Sequence, residues 1–225
     1  MSEHARDGRS TRWDPHRRER RLAIIKAAIA AIEAHGPDAL TGQIAEMAGV
    51  PRTHVYRHFE GKQALDLAVA RHVAAQIGQQ IRTGLATTGS ARDIISASIS
   101  EHLGWIEAHP NLYRFLAQRA YAVNSTGSPA VDDAKAAFAT ELTALLSHYM
   151  KLSDIDIDID TAPAERVVVG VVGMVDATAA WWLEHRDVTR AELTAALTDQ
   201  VWVILDHTAR SLGLELDPDA PLPGA

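Results

Sequence analysis

Residues 40–65 read LTGQIAEMAGVPRTHVYRHFEGKQAL, and the fold turns on them. Ile44, Ala45 and Ala48 recur at the three- and four-residue steps of one helical face. Gly49, in Ala48-Gly49-Val50, then permits the sharp turn into a second helix. Thr41 is placed to cap the first helix, over 42–48. Pro51 is placed to open the second, because its missing N–H costs nothing in a first turn. That second helix runs to Phe59, and Gly61 breaks it. Val50, Val55 and Phe59 supply its apolar contacts. Arg52, Thr53, His54, Tyr56, Arg57 and His58 are left on its outer face, with no acidic residue before Glu60. Such a face offers hydrogen-bond donors to phosphates and base edges, on a helix of the right size for the DNA major groove.

Toward the N-terminus, Leu22, Ile25, Ile29 and Ile32 mark a helix beginning near Pro15 and stopped by Gly36. Residues 1–14 lack apolar periodicity and read as a disordered basic arm. Its Arg6, Arg9 and Arg12 either solubilise the chain or reach a minor groove. Toward the C-terminus, a longer helix follows Gly61 to about residue 83, and residues 84–90 form a turn-rich break. Ser90 then caps a helix to residue 108, and Pro110 restarts the chain into another ending near Tyr121. A loop over 124–129, a helix over 130–151 and an acidic loop over 153–163 lead to an apolar helix over 164–185. A last helix begins at Thr189 and ends near Leu212, before a tail, 213–225, expected to be disordered. The expected fold is all-α, about nine helices. A helix-turn-helix head over 15–62 precedes a ligand-binding and dimerisation body over 63–212.

The charge follows that division. The chain carries a net −7, yet residues 1–62 hold eleven Lys and Arg against eight Asp and Glu, and the remainder eleven against twenty-one. A basic head on an acidic body concentrates attraction for phosphate at one end. With 47% hydrophobic residues the chain can bury a core, and without cysteine it has neither disulfides nor thiolate metal sites. The Arg-rich first twenty residues contain no apolar stretch of a signal peptide, so a cytoplasmic location is expected.

The head resembles the DNA-binding domain of the TetR family. The shared pattern is Ile44-Ala45, Ala48-Gly49-Val50, Tyr56, Phe59, Gly61-Lys62, and Gln63 before Leu65; the likeness is specific over roughly residues 20–67. The resemblance implies a homodimeric transcription regulator on double-stranded operator DNA. Thr41 would meet a phosphate, and Arg52, Thr53 and His54 would approach base edges. Tyr56, His58 and Lys62 would mainly hold the backbone, Arg57 would do either, and Gln43 would add a base or phosphate contact. Pro51 and His54 depart from common residues of the family, so no operator sequence is borrowed.

In the body, residues 164–185 include VVVGVVGMVDATAAWWL, apolar around most of the helix, with Gly170 and Gly173 allowing close approach. The uninterrupted apolar run falls short of the ~20 residues of a membrane span, and Asp176 interrupts it. In the last helix Leu193, Leu197, Val201, Ile204 and Leu205 share a face, with Trp202 beside it. These two helices meeting their copies would make a four-helix dimer bundle, and its twofold axis predicts a palindromic operator. The large apolar residues of the middle helices suit either ordinary core or the cavity that the family resemblance implies. The candidates for that cavity are Trp105, Tyr113, Leu116, Phe138, Leu142, Leu146, Met174 and Trp181, and Arg114, Arg119, Glu101 and Asp176 could orient a ligand. An apolar or amphipathic effector, such as a fatty acyl-CoA or a drug-like molecule, is expected.

No metal or cofactor is expected. Asp154, Asp156, Asp158, Asp160 and Glu165 have calcium-loop spacing, but Ile159 stands where that loop needs glycine. His102 and His109 lack a third ligand. Catalytic signatures are missing too, which speaks against a helical enzyme with a relic head. A non-specific nucleoid or scaffold protein is the other alternative, distinguished by binding that ignores sequence.

Overall fold

A computed structural model describes residues 10–85, 89–121, 161–211, 213 and 215–220. Within them lie eight helices and no strand. They are α1 (Ser10–His35), α2 (Thr41–Met47), α3 (Arg52–His58), α4 (Gly61–Leu85), α5 (Ala91–Ala108), α6 (Pro110–Tyr121), α7 (Thr161–His185) and α8 (Arg190–Ser211). The all-α expectation holds. The helix expected over 130–151, residues 153–160 of the acidic stretch, and the pocket candidates Phe138, Leu142 and Leu146 lie outside the described residues, whereas residues 161–163, expected as loop, begin α7.

α1 begins earlier than its sequence suggests, at Ser10 rather than Pro15, so the expected disordered arm is helical from that residue on. Pro15, the expected first residue, lies inside this helix, where proline gives up one backbone hydrogen bond. The buried face includes Ile25 and Ile32 of the expected spacing but not its other members. Leu22 is exposed and Ile29 half-buried, whereas Ile24, Ile25, Ala28, Ala31 and Ile32 enter the core. Two alanines on that stripe let neighbouring helices approach closely. Ile44 and Ala45 of α2, Val55 of α3, Phe59 after it, and Leu65, Val69 and Val73 of α4 complete this end of one continuous hydrophobic core.

α4 runs from the head into the body, where it packs along α5; α5 in turn packs on α8 and α7. Ser90 caps α5 as expected: its Oγ accepts from the Asp93 N–H at 3.2 Å, and the Asp93 carboxylate accepts from the Ser90 N–H at 2.9 Å. Thr189 and Glu192 repeat the device at the start of α8. Exposed ion pairs bridge the layers: Arg92 with Asp199, Arg186 and Arg190 with Glu107, and Arg114 with Glu184. By composition, residues 166–185 of α7 are apolar enough to cross a membrane, at a mean hydropathy of 1.4. Here Val168, Val171, Ala179, Trp182 and Leu183 of that helix are instead buried against the protein.

Candidate nucleic-acid interface

The turn between α2 and α3 is built on Gly49, whose φ of 63° is left-handed backbone that a side chain would strain. Val55 and Phe59 are buried under α3, which fixes its outer face. On that face Arg52, Thr53, Tyr56 and Arg57 are exposed, and His54 and His58 are half-buried with ring centroids 5.5 Å apart. α3 starts at Arg52, with Pro51 as its N-cap residue rather than its first helical one.

Thr41 does not cap α2. It is the first helical residue and is buried; Leu40 is the N-cap, and the Gln43 carbonyl oxygen accepts from the Leu40 N–H at 2.7 Å. Leu40 has no side-chain oxygen to accept from the first-turn N–H groups, so the Gln43 half of a capping box stands alone, and the Gln43 amide NH₂ remains for any contact outside. Tyr56 joins the two helices: its hydroxyl donates to Thr41 Oγ1 and accepts from Arg52 Nη2, both at 3.4 Å. Those two bonds, Thr41 first and Arg52 second, hold the phenol below its ordinary pKa. Lys62 is half-buried and ion-paired to Asp66 at 2.5 Å, one turn along α4. A phosphate at Lys62 must compete with that carboxylate.

Sequence reasoning passed over Arg21. Its guanidinium reaches from α1 to the far end of α3, where Nη1 donates to the His58 carbonyl at 2.6 Å and Cζ lies 4.1 Å from the Phe59 ring centroid. The readable signal was the stripe that enters the core from Ile24 on, which continues backward as arginine. Burial first, then His54, Arg17, Arg20 and Arg21, hold His58 below the usual imidazole range.

In the body, Trp105, Tyr113 and Leu116 are buried in one apolar cluster, and Met174 packs against it. Trp181 does not join them; it is 58% exposed and stacked on His185 with centroids 3.5 Å apart. The buried neighbour is Trp182, whose Nε1 donates to the Val188 carbonyl at 2.8 Å. The two indoles are adjacent in the chain and point to different sides of the helix, and composition alone did not say which faced inward. Arg114 is occupied by Glu184, and Asp176 accepts from the Tyr113 hydroxyl at 3.1 Å. Head and body also touch directly: His109 lies 2.6 Å from the Glu33 carboxylate, and Asn111 Nδ2 donates to the Glu33 carbonyl at 2.9 Å.

An exposed cationic helix set on a compact helical head, joined to a larger helical body, defines a helix-turn-helix DNA-binding transcription regulator. Comparison with known proteins places it more closely. The family described as bacterial regulatory proteins, tetR family, matches residues 24–69, and the tetracyclin repressor-like C-terminal domain matches residues 80–214. The chain belongs to the TetR family. It is 27% identical over 200 residues to an uncharacterised HTH-type transcriptional regulator of Mycobacterium tuberculosis, covering 88% of this chain and 82% of that one. Its fold is similar to a tetR-family regulator from Streptomyces coelicolor, with TM-score 0.68, 21% identity, and 86% and 83% of the two chains covered. It is also similar to the regulator FadR from Bacillus subtilis in complex with stearoyl-CoA, with TM-score 0.59, 17% identity, and 80% and 96% covered.

Proposed function

We propose that the chain is a ligand-responsive regulator, a repressor released by an apolar or amphipathic effector, which binds a palindromic operator as a homodimer in the cytoplasm. The observation that carries the reading is the outer face of α3: from Arg52 to His58 it has no carboxylate, and its orientation is set by buried Val55 and Phe59. Arg52, Thr53 and His54 meet base edges. Thr41, Tyr56, His58 and Lys62 hold phosphates, and Arg57 and Gln43 contribute at either. Two copies joined through α7 and α8 present their α3 helices about 34–36 Å apart, one turn of duplex. The stearoyl-CoA bound by the Bacillus subtilis FadR, a fold neighbour, supports a long acyl thioester as the class of effector. The effector then occupies the region of Trp105, Tyr113, Leu116 and Met174. It releases DNA only if it binds the DNA-free arrangement of the heads more tightly. Nothing in the site calls for catalysis, and regulation needs none.

Fluorescence anisotropy on duplexes tiled across the chain's own promoter tests this. One duplex is expected to bind at least about a thousandfold more tightly than unrelated DNA, as specific regulators do. Arg52→Ala is expected to reduce that preference, Tyr56→Ala to weaken operator and unrelated duplexes alike, and long-chain acyl-CoA to release the duplex. Equal affinity for every duplex, with a steep salt dependence, would establish a sequence-blind binder instead.

A further inference from the structure

The N-terminal part of α1 overhangs the head. Ile24, Ala28, Ala31 and Ile32 carry one face of this helix into the core, and the same face continues toward the N-terminus as Arg21 and Arg17, with Arg20 flanking it. All three arginines are exposed, and neither Arg17 nor Arg20 is ion-paired among the described residues. Arg21 fixes where the overhang lies, through its hydrogen bond to the His58 carbonyl and its stacking on Phe59. The basic side of α1 is therefore seated at the C-terminal end of α3.

That position has an electrostatic consequence. A seven-residue helix is about 10 Å long and the major groove about 12 Å wide, so with the N-terminal residues of α3 on base edges its C-terminal end lies near the backbone that borders the groove. That C-terminal end presents carbonyls of negative partial charge, which repel a phosphate. A cation is needed there, and the overhang delivers three. After burial and His54, the positive charge of these three arginines is among the causes that lower the His58 pKa.

We propose that the Arg17–Arg20–Arg21 side of α1 is a second DNA-binding surface of the head. Arg21 clamps the C-terminal end of the recognition helix, and Arg17 and Arg20 take backbone phosphates of the duplex beside it. This surface adds affinity without reading sequence, because phosphates carry none. It rests on the DNA-binding function proposed above and extends the interface beyond the helix-turn-helix.

The test is equilibrium binding of the full-length dimer to its operator duplex and to an unrelated duplex of equal length, across a range of salt. The R17Q/R20Q variant is expected to weaken both duplexes alike. It should also flatten the dependence of log K on log salt by roughly 0.9 for each phosphate that a head no longer neutralises. R17K/R20K should restore most of the slope. Arg21→Ala is expected to act differently, lowering the ratio of operator to unrelated affinity, because it frees the end of α3. An unchanged salt slope in R17Q/R20Q overturns the proposal, even if affinity falls. A wild-type protein that prefers no duplex overturns the regulator reading instead.

Discussion

His58 shows how much a single side chain on this surface depends on its surroundings. It is half-buried at the end of α3, with His54 on one side and three arginines of α1 on the other. Burial, first, and these positive neighbours both disfavour the imidazolium, so the folded chain takes up this proton at lower pH than the unfolded chain does. The sign follows from linkage. The stability associated with neutral His58 is fully present above the unfolded value near 6.5, and it is lost as pH falls from there through the lowered folded value. Thermal unfolding followed from about pH 7.5 down to about 5.5 is expected to show a falling melting temperature, and His58→Gln to flatten that portion of the curve. An identical slope in the variant would assign the loss to other groups. At this scale the sequence was partly legible. Which side chains stood outward on α3 followed from periodicity, since Val55 and Phe59 had to be buried. Polar partners were legible only where they are local: Gln43 with Leu40 and Lys62 with Asp66 follow helical spacing, whereas Arg21 with His58 is set by how the folded backbone places them.

Among the elements, the α2–α3 turn is where backbone conformation matters most. A Cβ built at Gly49 meets nothing within 4 Å, so the cost of Gly49→Ala is conformational rather than steric. Left-handed backbone costs an L-residue roughly 1–2 kcal/mol, offset in part by the lower entropy of the unfolded alanine chain. A net loss of about 1 kcal/mol is expected, seen as a melting temperature lower by about 2–4 °C for a chain of this size. Operator binding should fall further than stability does, because the angle between α2 and α3 relaxes with the turn. Elements with local signals were read well: the Ser90 cap, the Pro110 restart and the Gly49 turn are each written in a residue type with one physical role. The start of α1 was not, because Pro15 reads as a first-turn residue and here lies inside the helix. Its buried face was read in part, since Ile25 and Ile32 are buried, whereas Leu22 at the same helical spacing lies off the true stripe. Alanines at 28 and 31 gave no hydropathic emphasis to that stripe.

For the whole molecule, α7 and α8 leave an unusual surface uncovered. Val169, Gly170, Gly173, Ala177 and Trp181 form one stripe along the outer side of α7, and Val203 lies exposed on α8; Val169, Trp181 and Val203 are 56%, 58% and 64% exposed. A small-residue stripe flanked by large apolar groups suits close approach of a second copy, in keeping with the proposed dimer. Gly173→Gln tests it cleanly. Its Cβ meets nothing in the chain itself, and glutamine is the better helix former by several tenths of a kcal/mol, so each protomer should keep its helicity. Sedimentation is expected to show a monomer, and operator affinity to drop roughly a hundredfold or more as the two heads lose their linkage. A dimer with unchanged sedimentation would move the interface elsewhere. Sequence periodicity had identified these helices, but it assigned Trp181 to the interior. An indole on a nearly all-apolar helix carries no mark of which side faces its own chain and which faces a copy.

The helix joining the two halves has a practical implication. α4 lends Leu65, Val69 and Val73 to the core shared with α1, and then lies along α5 without an intervening loop. A chimera that grafts this DNA-reading end onto another sensor cannot be spliced at Gly61, since the donor fragment would leave its own apolar underside bare. The splice has to fall beyond Val73, within a continuous helix and in register, so that a transplanted reader arrives already rotated to the angle its new sensor will turn.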